Sequence, residues 1–573
     1  MITRWGANIE KDKVLLEYPR PQMRRNSYIN LNGMWQYAIV RGESLPDKID
    51  GEILVPFSPE CELSGVRRTV GPEDTLWYVK NFSLPADFNI GRVLLHFGAV
   101  DQIAEVYLNG IEVGSHTGGY TPFSIDITRE LREENQLIVK VRDVTDTSWH
   151  TRGKQKIRKG GIWYTPQSGI WQTVWLESVP EEYISGLHIL PLYDEAAVEI
   201  TVYSDVERPC TARMGLVVAQ GETNKPFRMS VQGFTPWSPE NPHLYGFSVK
   251  MGEDMVESYF GMRKVSVGKL PGTEHPYVTL NGKPLYLQLT LDQSYHPDGF
   301  YTFPSDEFMK NEILLSKKLA LSGNRIHIKV EVPRKLYWAD RLGLLIMADV
   351  PCAWGPASEA MFREHWFCFE GMVKRDFNHP SIFSWVLFNE TWGLFVDGQN
   401  WGRDRAKRYA PWVQRAVADA YAKAKALDPT RLVEDNSPCN RDHVVTDLNT
   451  WHAYEPGYRW EGAVAAWCRD TFPGSKANYI GGFVQGNAPM LNSECGNVWG
   501  YKGSTGDCDW SWDYHLMINA FRRRLQCGGW LYTEHHDVIN EWNGYVRFDR
   551  TPKYTGIEEL FPGSSLTDWH ADA

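Results

Sequence analysis

The segment Ser381–Glu390, SIFSWVLFNE, decides the architecture of this chain. Ile382, Phe383, Trp385, Val386, Leu387 and Phe388 make a short apolar run of the kind that forms a fully buried strand. It ends abruptly on an amide and a carboxylate, Asn389 and Glu390, with Thr391, Trp392 and Gly393 after them. A strand that is apolar along its length and polar only at its C-terminal end suits a parallel sheet covered by helices, where reactive groups gather at the strand ends.

The flanking sequence repeats that pattern. Upstream, SDEFMKNEILLSKKLALSG has helical spacing, with Ser305 as its cap and Phe308 and Met309 opening the buried face. NRIHIKV follows as a strand, and PRKLYWADRLG as a helix with Pro333 near its start and Gly343 at its stop. LLIMADVP is a strand and ASEAMFREHWFCFEGMVKRDF a helix. Downstream, RDRAKRYAPWVQRAVADAYAKAKALDP is a helix and RLVEDNS a strand. Alternation sustained over about 290 residues implies parallel strands with helical crossovers, and the length suits an eightfold β/α (TIM) barrel. The barrel is expected over residues 273–573.

The preceding sequence reads as β structure. RVLLHFGAV, IAEVYLNGIEVGSH and NQLIVKVRDV are short strands, and Asn109-Gly110 is a hairpin signal. GGIWYTPQSGIWQTVWLESV gathers Trp163, Trp171 and Trp175 ahead of a further strand. A jelly-roll sandwich is expected over residues 1–180. Over 181–272, GLHILPLYDEAAVEITVYSD and ESYFGMRKVSV suggest an immunoglobulin-like sandwich.

Composition narrows the function. The chain has 573 residues and a formal net charge of −11, a poor match to a nucleic-acid partner. No run approaches the ~18 apolar residues of a membrane span. Nine scattered Cys without a CxxC pair argue against a disulfide framework or zinc site, and point to reduced thiols in a cytoplasmic protein. The 24 Trp and 27 Tyr suit either sugar stacking or aromatic sandwich cores.

A second strand end matches the first. APMLNSECGNVWG carries Met490 and Leu491 into Asn492, Ser493 and Glu494. Glu390 and Glu494, distant in sequence, would both project into the barrel mouth. Two convergent carboxyl groups are what glycoside hydrolysis needs, one holding a proton for the leaving oxygen and one ionised.

Much of the chain resembles glycoside hydrolase family 2, the β-galactosidase, β-mannosidase and β-glucuronidase group. AEVYLNGIEVGSHTGGYTPFSIDIT and GGIWYTPQSGIWQTVWLE resemble its sugar-binding sandwich, GMRKV its domain join, and NHPSIFSWVLFNETWG its barrel. The resemblance implies a retaining mechanism, with Glu390 as acid/base, Glu494 as nucleophile, and Asn389 on the sugar 2-hydroxyl. It implies contacts from Arg325 and His327 to the sugar or the nucleophile. It has Tyr454 orient the nucleophile and His452 bond a hydroxyl. Asp435 and Asn436 lie at a similar strand end. Trp499 sits on a long connection that shapes the pocket, and Trp530 and Tyr532 are candidates for stacking. No cofactor is implied. The run Glu534 to Asp537 is not read as a metal site, since neighbours on a strand face opposite ways.

The β-glucuronidase members carry an Asn-x-Lys element that meets the sugar carboxylate. The comparable region here reads NGYVRFDRTPK, with Arg547 and Arg550 but no Asn-x-Lys. A galactosidase-like β-glycoside is therefore the expected substrate. The alternatives are a β-uronide and a carbohydrate-binding protein without catalysis. A homodimer or homotetramer is compatible with the family.

Overall fold

The computed structural model describes residues 2–44, 46–397, 408–496 and 511–553. The N-terminal part is a sandwich of antiparallel sheets. One sheet has six strands, in the order Gly51–Val55, Gly33–Arg41, Asp74–Phe82, Asn135–Arg142, Ile103–Leu108, Ile111–Thr117. The other has four, Tyr28–Asn30, Val174–Val179, Arg92–Phe97 and Phe123–Asp126. Alternate residues such as Leu137, Val139 and Val141 face the core, as a strand period of two requires. Asn109 (φ 53°) and Gly110 (φ 84°) form the hairpin turn read from the sequence.

A second sandwich packs a three-stranded sheet (Gly186–Leu192, Ala197–Tyr203, Phe227–Ser230) against a four-stranded one (Val217–Glu222, Pro209–Met214, Tyr245–Met251, Asp254–Phe260). This is the immunoglobulin-like layer. A small sheet built on Pro276–Leu280 follows, and its Val278 joins the interior cluster of the barrel.

The barrel strands are β1 (Leu287–Asp292), β2 (Gly323–Ile326), β3 (Leu345–Asp349), β4 (Ile382–Val386), β5 (Leu432–Glu434), β6 (Asn449–Tyr454), β7 (Met490–Gly496) and β8 (Gly529–Tyr532). They form one eight-stranded sheet of parallel pairs. Asp447 N donates to Val433 O (2.9 Å), joining β5 to the chain entering β6. The described helices are α1 (Asp306–Lys318), α2 (Pro333–Leu342), α3 (Glu359–Asp376), α4 (Pro411–Leu427), α5 (Trp460–Asp470) and α6 (Ser511–Arg522). Ser305 caps α1 through Phe308 N (3.1 Å), and Gly343 ends α2 in the left-handed conformation. The helix read from Arg403 onward is observed from Pro411; most of its predicted first part lies outside the described residues.

Leu289, Leu291, Met347, Phe383, Leu491 and Leu531 fill the barrel interior. A larger cluster runs from Phe57, Tyr120 and Trp171 of the first sandwich to Tyr295, Tyr301 and Ile326 of the barrel. The sandwich and the barrel thus share one core, which fixes N-terminal loops over the strand ends. No described helix is long and apolar enough to cross a membrane.

Candidate active site

Strand β4 continues past Val386 along β5. Leu387 N donates to Glu434 O (2.9 Å), Ser437 N to Phe388 O (2.8 Å), and Glu390 N to Ser437 O (2.8 Å). Glu390 (φ 49°) and Thr391 (φ 62°) then take left-handed conformations, which are costly for residues with a Cβ. Asn436 holds that turn: its Oδ1 accepts from Thr391 N (3.0 Å), and its Nδ2 donates to Thr391 Oγ1 (3.2 Å) and Asp442 (3.1 Å). Glu390 is set at the barrel mouth by this bend.

Glu494 sits in β7 beside β6, where a register shift pairs it with His452. Tyr454 O–H donates to its Oε1. Its Oε2 lies 3.6 Å from Arg325 and 3.5 Å from His452 Nδ1. The same Nδ1 is 2.8 Å from Glu390 Oε1, so one imidazole bridges the two carboxyl groups. An oxygen of Glu390 and an oxygen of Glu494 lie within 4.8 Å of each other.

Arg325, fully buried at the end of β2, is clamped by Asp349 through Nε (3.0 Å) and a terminal nitrogen (2.8 Å). It also donates to Asn389 Oδ1 (2.7 Å) and Ser493 O (3.2 Å). That fixes the Asn389 amide with its Nδ2 free of any partner among the described residues. Burial pushes the Asp349 carboxyl up to about 7, against the pull of Arg325. Burial, with Lys154 and Arg325 nearby, holds His327 neutral. Burial and the Glu494 charge together keep the Tyr454 phenol protonated, as a donor must be.

Family models cover the chain domain by domain. Residues 51–169 match the glycosyl hydrolase 2 galactose-binding domain-like model, 192–263 the glycosyl hydrolases family 2 model, and 274–558 the family 2 TIM barrel domain. The chain belongs to glycosyl hydrolase family 2. This family-2 hydrolase is similar to a β-glucuronidase of Streptococcus agalactiae (24% identity; 65% of this chain and 68% of the relative). It is also similar to a β-galactosidase of Thermoanaerobacter pseudethanolicus (25%; 55% and 44%). It spans about half the length of several curated relatives it matches, 45% and 44% in two cases. Among solved structures, a β-D-glucuronidase of Dictyoglomus thermophilum shares its fold (TM-score 0.75, 17% identity; 97% of this chain and 99% of that one). So does a β-galacturonidase of Eisenbergiella tayi, bound to galacturonate (TM-score 0.73, 21%; 98% and 99%).

The chain brings Asn389, Glu390, Arg325, His327, His452, Tyr454 and Glu494 together. His452 and Asn436 depart from their expected contacts with the sugar. Arg325 makes one of the two contacts expected of it, lying 3.6 Å from Glu494, and its donors are engaged by Asp349, Ser493 and Asn389. His452 has Ser437 Oγ on Nε2 (2.8 Å) and Glu390 on Nδ1, so its ring nitrogens serve carboxyl geometry. Asn436 braces the Glu390 turn. Asp435 accepts from His443 Nδ1 (2.7 Å) and Val444 N (2.7 Å), which holds a loop.

Trp530 and Tyr532 do not face the mouth. They share a face of β8, as expected, but it is the outer one. Both are buried with Trp451, Trp467, Tyr514 and Phe521 under α5 and α6, while Leu531 points inward. Trp499 and most of its connection lie outside the described residues; Trp512, on the same stretch, is exposed. Arg550 is held by Glu312 (3.0 Å) and Tyr295 O (3.2 Å), and Arg547 is turned to Pro552 O.

The strand alternation expected for Glu534 to Asp537 is not observed. His535 and His536 offer ligand atoms within 4.8 Å of Asp292 and Glu312, because the chain has left the strand at Tyr532 and alternation no longer applies. Lys335 on Asp292 (2.7 Å) and Arg550 on Glu312 already neutralise those carboxylates.

Other site residues were not read from the sequence. Trp163 of the first sandwich, Trp354 and Trp392 form an aromatic wall, with ring centroids 4.1 Å and 4.0 Å apart, and His327 lies at its edge. The GGIWY motif was the available signal, but nothing local ties it to the barrel. Gln293, just past β1, donates to Glu534 (2.7 Å) and Glu541 (2.7 Å), and Lys154 donates to Glu541 (2.9 Å).

Proposed function

We propose that this family-2 hydrolase is an exo-acting, retaining β-glycosidase that removes a terminal β-linked sugar by double displacement. The observation that carries the reading is the approach of Glu390 and Glu494 to within 4.8 Å, bridged by His452. Retaining enzymes hold their carboxyl groups ~5–5.5 Å apart, whereas inverting enzymes leave ~6.5–9.5 Å for a water.

Glu494 attacks the anomeric carbon. Tyr454 and Arg325 hold its carboxylate on one rotamer, and the Asn389 amide is left to meet the sugar 2-hydroxyl. Glu390 delivers the proton to the leaving oxygen and later recovers one from the attacking water. Ser437 Oγ lies 2.8 Å from both His452 Nε2 and Ser493 Oγ, which fixes the imidazole ring from its far side. His452 Nδ1, 2.8 Å from Glu390 Oε1 and 3.5 Å from Glu494 Oε2, holds the two carboxyl groups in register before substrate arrives.

Relatives and structural neighbours named for glucuronides and galacturonides support a β-uronide as the sugar. A neutral β-galactoside is the second reading, favoured by the galactosidase relatives. The test is proton NMR of the first product from aryl β-glucuronide, β-galacturonide and β-galactoside. Retention gives the β anomer first, before mutarotation. An α anomer first, or no turnover of any of the three, overturns the proposal.

A further inference from the structure

We propose that Lys154, carried by the N-terminal sandwich, is the residue with which this hydrolase recognises the carboxylate of an acidic sugar, with Glu534 as a second donor. This rests on the glycosidase reading above and names the ligand chemistry of the same mouth.

Lys154 is built into position. Arg152 N and Gly153 N both donate to Cys352 O at the end of β3 (3.2 Å and 3.1 Å), and Trp354 Nε1 donates to Gly153 O (2.7 Å). Gly153 is left-handed (φ 61°), and a Cβ there would stand 2.7 Å from Ile328 O, so the loop meets the barrel more closely than another residue permits. Thr151 is tied to Glu364 on α3 (3.1 Å). A lysine between such anchors delivers its ammonium to one place.

That place is the substrate end of the barrel. The Lys154 side chain is 5% exposed and 2.9 Å from Glu541 Oε2. Glu541 takes one of its three N–H groups, and the described residues supply no partner for the other two. Burial opposes the charged ammonium, and the nearby Glu541 and Glu494 carboxylates outweigh it. Glu534 is buried, and its Oε2 accepts from Gln293 while its Oε1 has no partner. Burial, followed by the neighbouring Glu541 charge, pushes its carboxyl well above the ordinary range, so Oε1 is an acid O–H in search of an acceptor. Two ammonium hydrogens and one carboxylic acid hydrogen are donors without acceptors. A sugar carboxylate satisfies all three, and a neutral hydroxymethyl group does not. Arg547 and Arg550 do not compete for this role, since Arg550 is neutralised by Glu312.

The experiment compares kcat/KM for p-nitrophenyl β-glucuronide and β-galacturonide with that for p-nitrophenyl β-galactoside. Lys154→Met should lower the better uronide-to-galactoside ratio by roughly 10–150-fold, the worth of a bond to a charged group. The loss should fall mainly in KM, and Lys154→Arg should restore most of the ratio. In the unaltered enzyme, free glucuronate or galacturonate should inhibit at lower concentration than galactose, a readout that needs no variant. An unchanged ratio in Lys154→Met, with both substrates slowed alike, makes the lysine structural and overturns the proposal. Wild-type turnover of the galactoside alone overturns it while leaving the retaining mechanism standing. Turnover of none of the three overturns both.

Discussion

Glu494 is held from several directions, by the Tyr454 hydroxyl, by Arg325 at 3.6 Å and by His452 at 3.5 Å. In the proposed mechanism each contact steadies a carboxylate that attacks along one line, and the phenol is the one close hydrogen bond among them. Tyr454→Phe removes that bond and leaves the ring packed. The expected result is a fall in kcat of about 10–100-fold with KM little changed, in keeping with a charge-assisted bond worth ~1.5–3 kcal/mol. Steady-state kinetics on an activated aryl glycoside measures it; an unchanged kcat would remove Tyr454 from the account. Glu390 and Glu494 stood out because each ends an apolar strand, and Asn389 and Tyr454 through the family resemblance; the structure places all four together. Asp349 was not, since its importance lies in clamping Arg325 across β2 and β3, a contact no local pattern encodes. His452 was read as a ligand to sugar because sequence shows an imidazole at a strand end, not what lies on its two sides.

Strand β4 shows how an element aims a side chain. Its C-terminal end carries Glu390, and its N-terminal end is fixed by the turn after α4. Arg431 donates to Ile382 O (2.9 Å), Phe377 O (2.6 Å) and His379 O (2.7 Å). Asp428, at the end of α4, accepts from Arg431 (2.8 Å), Trp385 Nε1 (2.8 Å) and Thr430 N (2.9 Å). Burial alone would raise the Asp428 carboxyl, but Arg431 and these hydrogen bonds outweigh it and lower it to about 2. A folded value below the unfolded ~3.9 means a contribution present above pH ~4 and lost as pH falls through ~2, on the order of 2 kcal/mol. Asp428→Asn should therefore unfold at lower temperature than the parent at pH 7, with the gap closing toward pH 2. A gap independent of pH would contradict this. The parity of β8 marks the limit of element-level reading. Alternation correctly places Trp530 and Tyr532 on one face, but only the packing of α5 and α6 decides that it is the outer face, and a one-residue choice of face moves a pair from pocket to core.

At the scale of the molecule, three domains were legible from texture: short β runs, then strand and helix in alternation. Their mutual arrangement was not, because the residues that join them are ordinary core residues in isolation. Trp171, Tyr120 and Tyr301 belong to one cluster that crosses from sandwich to barrel, and Trp237 of the second sandwich donates to Asp340 O (2.8 Å) at the end of α2. A buried ionic group, Arg25 with Glu177 (3.0 Å) and Asp254 (2.7 Å), ties the two sandwiches. Through these joints the first sandwich contributes Trp163 and Lys154 to a mouth otherwise built from barrel strands. The barrel supplies the acid pair and the N-terminal sandwich part of the wall around it.

The account turns on Glu494 forming a covalent bond to the sugar, and active-site labelling tests that most directly. A 2-deoxy-2-fluoro glycoside of the sugar the enzyme cleaves, with an activated leaving group, should inactivate it in proportion to time. Mass spectrometry of the digested protein should then find one fluorosugar on the peptide containing Asn492-Ser493-Glu494, fragmenting to Glu494. A label on any other residue, or full turnover with no labelled enzyme, would contradict it.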